Sequence, residues 1–322
     1  MASQAAAFPR WPCWPFPPPA PKPQPVSKLF TGAAGNWLVA NEIGHGPRLV
    51  LLLHGGGQTR HAWAKTAHRL ADAGWRVVAV DQRGHGDSEW VADGSYAFAD
   101  YAADAAAVAS AIAAPHEPAP VAVGASLGGI AALLALGRAR GEGRAPPFSG
   151  LILVDVVPRM DPRGVAHVQG FMRARAAEGF GSVEEAADAV AAYLPHRPRP
   201  RSLDGLRKNL RLDADGRWRW HWDPRFLDGP RPVDSGRGQV EAALERAARS
   251  LSVPSLLVRG GASELVSRAA AEAFLAIAPG SELADVAEAR HMVAGDRNDA
   301  FADAILAFLA RRFPVPREAA AE

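Results

Sequence analysis

The chain nearly lacks cysteine: Cys13 is the single one in 322 residues. No intrachain disulfide can form, and zinc or iron–sulfur sites built on cysteine are excluded. Lysine is scarce too, at four residues beside 32 arginines. With heavy alanine use, this reads as GC-rich coding bias rather than as function. Net charge is small, +2 from 36 basic and 34 acidic residues, which leaves no global nucleic-acid footprint. A long apolar run is also missing. Pro118–Gly137 carries no charged side chain, but Pro118 and Pro120 open it and Gly124, Gly128 and Gly129 interrupt it. That suits strand, turn and helix better than a membrane span. What remains, 48% apolar and 22% charged residues, is an ordinary globular composition that excludes wholesale disorder and fibrous repeats.

The length is about twice the usual domain size, which accommodates two small domains or one large α/β domain with an insertion. Residues 1–28 hold nine prolines between Phe8 and Pro25, with Trp11, Trp14 and Phe16 among them. Proline lacks an amide donor and fixes φ, so an irregular or polyproline-like tail is expected, without the apolar core of a secretory signal. Beyond it, Leu49–Leu53, Arg76–Val80, Val121–Val123, Leu151–Val154, Ser255–Val258 and Leu283–Val286 read as strands. His61–Ala73, Phe98–Ala113, Leu127–Arg138, Arg268–Ala278 and Asn298–Arg312 read as helices. Single helices between strands imply a parallel sheet with right-handed crossovers. The rhythm breaks from Pro158 to Ser250. Helices at Pro162–Glu178 and Val183–Tyr193, and a hairpin of Leu210–Leu212 with Trp218–Trp222, are expected there. The domain reading is a core of 29–157 and 251–313, an inserted cap of 158–250, and a flexible tail of 314–322.

Gly124-Ala125-Ser126-Leu127-Gly128 is a Gly-x-Ser-x-Gly pentapeptide between an expected strand and an expected helix. Small neighbours let the backbone turn tightly and lift the hydroxyl out at the carboxyl end of the sheet, where open α/β folds bind ligands. A serine hydroxyl is a poor nucleophile at neutral pH and needs a base. His291 follows the last expected strand and precedes the last helix, in a loop that can reach across the strand ends. His54 and His85 lie in glycine-rich strand-end turns and are read as architectural. An imidazole base needs a carboxylate to orient it and to stabilise its positive charge. Two occupy suitable places: Asp155, at the tip of Leu151–Val154, and Glu264, beyond Ser255–Val258. The oxyanion of a tetrahedral intermediate needs donors. The N–H of Leu127 is the expected first donor, and that of Gly56, with Gly57 next, the second.

His54-Gly55-Gly56-Gly57, Asp81-Gln82-Arg83-Gly84-His85-Gly86-Asp87-Ser88, the elbow at Ser126 and the late His291 resemble, in that order, the α/β-hydrolase superfamily. The resemblance spans Lys28–Arg312. It implies an α/β-hydrolase fold, a mostly parallel central sheet flanked by helices with an inserted cap, in which Ser126 is nucleophile and His291 general base. The family's acid usually lies three residues past the glycine ending the seventh strand. Counting from Gly260 reaches Ser263, which cannot serve, and counting from Gly261 reaches Glu264. Some capped relatives carry the acid after the preceding strand, so Asp155 is preferred and Glu264 kept as the alternative. Serine at the elbow separates the chain from haloalkane dehalogenases and capped epoxide hydrolases, which attack with aspartate.

The expected activity is cleavage of a small-molecule carboxylic ester through an acyl-enzyme, with no metal or organic cofactor. Lactonase, carbon–carbon bond hydrolase or perhydrolase chemistry would use the same triad, and a non-catalytic ligand-binding role is the alternative from another class. A cytoplasmic location is expected, with no nucleic-acid partner and no membrane span; the oligomeric state is left open. Trp218, Trp220 and Trp222 alternate and so share a strand face, either lining a substrate pocket or, more commonly for such a stripe, packing the cap's own core. Pro158–Ser250 holds 17 Arg/Lys and 13 Asp/Glu, a net +4, against 19 and 21, a net −2, elsewhere. With acids interspersed, that excess reads as a solvated face.

Overall fold

Branched aliphatic runs form the main sheet of the computed structural model, which describes residues 24–114, 116–197, 199, 202–291 and 298–314. Most of the expected proline-rich tail (1–23) and nearly all of the expected C-terminal tail (315–322) lie outside the described residues. In chain order the strands are β1 (Val26–Thr31), β2 (Trp37–Ile43), β3 (Leu49–Leu53), β4 (Arg76–Val80), β5 (Val121–Ala125), β6 (Gly150–Val154), β7 (Leu210–Leu212), β8 (Trp218–Trp220), β9 (Ser255–Gly260) and β10 (Ser281–Val286). All but β7 and β8 join one sheet in the order β1-β2-β4-β3-β5-β6-β9-β10. The six strands from β4 to β10 run parallel, and β2 and β1 add an antiparallel edge. All five residues of β3 and of β6 are buried, as strands covered on both faces require.

The sequence did not reveal β1 and β2. β1 lies at the sheet edge with five of its six residues exposed, so no apolar alternation marks it. It begins at Val26, inside the stretch expected to be irregular to residue 28. β4 and β5 flank β3 on opposite sides, so the strand order reverses at β3. A crevice forms outside the carboxyl ends of such strands, and ligands bind there.

The helices are α1 (Ala64–Asp72), α2 (Phe98–Ile112), α3 (Leu127–Gly141), α4 (Pro162–Arg173), α5 (Val183–Tyr193), α6 (Asp204–Arg207), α7 (Arg225–Asp228), α8 (Arg237–Arg249), α9 (Arg268–Ile277) and α10 (Asn298–Arg312). α1 and α10 share one apolar layer with the sheet; α2, α3, α8 and α9 share the other. α3 is apolar around most of its surface because it is sandwiched between the sheet, α2 and α8. Among the described residues, no helix is long and apolar enough to cross a membrane.

Among the described residues, the stretch between β6 and β9 adds no strand to the main sheet. Its β7–β8 hairpin stands apart, and α4, α5 and α7 pack with it in a third apolar cluster that also includes Tyr96, Tyr101 and Leu127 of the sheet-bearing part. α8 packs with α3 in the sheet-side core rather than with the hairpin. It lies within 158–250, yet it packs so closely on α3 that a Cβ on Gly137 would meet that of Ala247 at 2.5 Å. Its buried face is Leu244, Ala247 and Ala248, continued by half-buried Val240, at the i, i+4, i+7 and i+8 spacing of an amphipathic helix. The helical reading Pro162–Glu178 ran too long, since α4 ends at Arg173.

Candidate active site

Ser126 sits between β5 and α3 with φ of 45° and ψ of −110°, a left-handed conformation that costs a non-glycine residue free energy. Its neighbours explain how the chain holds it there. A Cβ on Gly124 would fall 2.4 Å from the backbone of Gly128 and Gly129, and one on Gly128 would fall 2.4 Å from the Leu53 carbonyl oxygen. Only bare backbone permits so close an approach of helix to sheet. The elbow abuts the loop after β3, where a Cβ on Gly55 would lie 3.6 Å from Ser126 Cβ.

Asp155 follows β6 with φ of 51° and is fully buried. Its own N–H donates to the Val258 carbonyl at 2.8 Å, which extends the β6–β9 pairing by one residue. The carboxylate accepts three hydrogen bonds. Gly260 N–H donates to Oδ1 at 3.0 Å, and Oδ2 accepts from Ser263 Oγ at 2.6 Å and from His291 Nδ1 at 2.9 Å. The His291 loop is drawn in by backbone bonds from Gly261 to Val286 and from Ala262 to Ala289. A side chain on Gly260 would collide with the Arg290 carbonyl at 2.5 Å. Glu264 is not brought to the histidine: its Oε2 is buried and makes no hydrogen bond among the described residues. Ser263 instead donates its hydroxyl to the Asp155 carboxylate. The hydroxyl donor beside Asp155 was not anticipated, and no sequence signal marks it, because the contact joins two strand ends.

The glycine loop after β3 is held from behind by two histidines. His54 Nδ1 faces the Gly55 carbonyl at 2.8 Å while Nε2 accepts from Gln82 N–H at 3.0 Å. His85 Nδ1 faces the Arg83 carbonyl at 3.0 Å while Nε2 accepts from Gly57 N–H at 3.1 Å. A carbonyl partner requires a proton on Nδ1 and an amide partner requires a lone pair on Nε2, so both rings are neutral in that tautomer. This removes Gly57 as an oxyanion donor, since its N–H already serves His85. No acceptor engages Gly56 N–H or Leu127 N–H among the described residues.

Burial pushes His54 down to about 4 and His85 down to about 3, from 6.5. Between those values and 6.5 the unfolded chain binds more protons than the folded one, so stability rises with pH. The contribution is fully present above 6.5 and is lost as pH falls toward 4 and 3. Unfolding free energy should therefore drop by roughly 2 kcal/mol per histidine between pH 7 and pH 5. Denaturant titration at both pH values measures this, and equal stabilities would contradict neutral buried rings.

Ser126, Leu127, Gly56 and His291 border one cavity of about 350 Å³. Much of its wall comes from the stretch between β6 and β9: Val165, Val168, Gln169 and Met172 form one stripe of α4, facing Phe226 and Leu227 of α7. Trp220 and Trp222, both buried, line it as well. Trp218 does not; it lies under the Arg207 guanidinium, 5.2 Å from its ring centre, and bridges to Phe180. The tryptophan stripe thus divides between two environments, and Trp222 lies beyond the end of β8. Among the described residues, no group of three or more His, Cys, Asp or Glu is placed to hold a metal ion.

The sheet order and its two helical layers define the class of protein, an α/β hydrolase. Residues 45–298 match the hydrolase family described as serine aminopeptidase, S33, and the chain belongs to it. It is 33% identical to the esterase Rv0045c of Mycobacterium tuberculosis over 229 residues, 70% of this chain and 69% of that one. It is 30% identical to the 2-(acetamidomethylene)succinate hydrolase of Mesorhizobium japonicum over 263 residues, covering 80% and 85%. A solved structure of the M. tuberculosis esterase superposes with a TM-score of 0.67 at 27% identity, over 90% of this chain and 93% of that one. One of an E-2-(acetamidomethylene)succinate hydrolase has a TM-score of 0.72 at 24% identity, over 89% and 99%, and speaks for the fold alone. The chain is a hydrolase.

Proposed function

We propose that this hydrolase cleaves a carboxylic ester through an acyl-enzyme on Ser126. His291 removes the hydroxyl proton as Oγ attacks the ester carbonyl. The N–H groups of Gly56 and Leu127 receive the negative charge on the carbonyl oxygen, and Asp155 holds the imidazole and balances its positive charge. As the carbon–oxygen bond to the alcohol breaks, His291 returns the proton to that oxygen. Water, deprotonated by His291, then adds to the acyl group, and the acid leaves as Ser126 regains its proton. The reading rests on one observation above all: His291 is hydrogen-bonded to a buried carboxylate while bordering the same cavity as the strained serine. The elements from α4 to α7 act as a cap in this scheme, since they wall the cavity over the strand ends.

The ester reading also draws on the relative named an esterase. Incubation with a fluorophosphonate, followed by intact-mass and peptide analysis, should give one adduct, on Ser126, and the unlabelled enzyme should hydrolyse short p-nitrophenyl esters. An unmodified Ser126 together with no ester hydrolysis would reject the proposal.

A further inference from the structure

The cavity wall is largely apolar, yet it carries three carboxamides, Gln58, Gln169 and Asn209. Two have their oxygens engaged. Gln58 Oε1 accepts from Gly55 N–H at 3.1 Å, which fixes the amide orientation because a backbone N–H can only donate. Asn209 Oδ1 accepts from Thr59 Oγ at 2.9 Å. In both, the NH₂ group is left as a donor. Gln169 makes no side-chain hydrogen bond among the described residues, although it interrupts the apolar stripe of α4. The indole N–H of Trp220, in the same wall, is buried and meets no acceptor among the described residues. The Gln58 and Asn209 NH₂ groups, the half-buried Gln169 carboxamide and the buried Trp220 indole N–H thus offer donors to a bound molecule, and a donor covered by an apolar ligand gives up its hydrogen bonds to water without replacement, which costs free energy. No arginine or lysine lines the cavity among the described residues, so a full carboxylate would find no counter-charge there.

We propose that the cavity selects esters bearing a second, uncharged acceptor oxygen (a ketone, an ether or a further ester carbonyl) and that Gln169 recognises it through its carboxamide N–H. The inference rests on the ester-hydrolase reading and assigns Gln169 as a specificity residue of that site. A purely apolar chain of equal length fills the same volume but leaves the amide unpaired. A polar acceptor loses water on entry and gains from binding only if a donor meets it.

Three p-nitrophenyl esters test this: hexanoate, 5-oxohexanoate and the anionic glutarate. The wild-type enzyme should favour the oxo ester over hexanoate by about tenfold in kcat/KM, the worth of one well-made hydrogen bond. Gln169→Met, which keeps length and removes the donor, should collapse that ratio to unity or reverse it, mainly through KM. The wild-type preference stands as a measurement even if the variant misfolds. Hexanoate preferred over the oxo ester by wild-type enzyme, a ratio unmoved by Gln169→Met in folded protein, or glutarate preferred over both neutral esters would each overturn the proposal. Hydrolysis of none of the three would instead bring down the ester reading and this inference with it.

Discussion

Ser126→Ala should lower turnover of a p-nitrophenyl ester by on the order of 10⁶, the usual consequence of removing the nucleophile from a serine, histidine and aspartate set acting as a unit. Residual hydrolysis should survive, because Gly56 and Leu127, which border the cavity, keep their N–H groups. Fluorophosphonate labelling should vanish altogether. Alanine removes one oxygen, keeps the Cβ and leaves the N–H of residue 126, which bonds the Val154 carbonyl at 3.2 Å. The melting temperature should accordingly change little, so that loss of activity reports chemistry and not unfolding. Turnover within tenfold of wild type would show that another group forms the acyl intermediate.

Asp155→Asn should reduce kcat by about 10⁴. The carboxylate accepts three donors with two oxygens, whereas an amide presents only one oxygen. Its NH₂ must then face either Gly260 N–H or the pair formed by Ser263 and His291. In the second case the imidazole is driven into the wrong tautomer, with no lone pair toward Ser126. Ser263→Ala keeps the carboxylate and removes one of its donors, so a loss of about tenfold is expected. Glu264→Gln should leave kcat nearly intact, because that carboxylate makes no hydrogen bond to the histidine. Steady-state kinetics on all three variants, with matched melting curves, distinguishes the two acids. A strong loss in Glu264→Gln with Asp155→Asn active would reverse the assignment.

Much of the fold was legible because its signals are local. β3 and β6 are continuous apolar runs, and α3 begins after a serine with glycines two residues to either side, Gly124 and Gly128, that admit no side chain. His54 and His85, set among glycines, were readable as parts of turns, and their lone pairs and protons do hold the β3 and β4 loops together. β1, exposed on both faces, carries no such periodicity.

By itself, then, the sequence determined the class of fold, the strand–turn–helix elbow that presents Ser126, and the placement of His291 in a loop after the last strand. Each depends on residues adjacent in the chain, or on the order in which motifs follow one another. Tertiary structure alone decided which carboxylate meets His291, that Ser263 braces it, that His85 occupies Gly57 N–H, and that Trp218 stands outside the cavity while Gln169 lies inside. Those outcomes depend on hydrogen bonds between segments up to 136 residues apart, at distances near 3 Å. Chain spacing brings Asp155 and Glu264 equally close to the strand ends. Only the parallel pairing of β6 with β9 brings Asp155 within reach of Gly260, Ser263 and His291, while Glu264 Oε2 makes no hydrogen bond among the described residues.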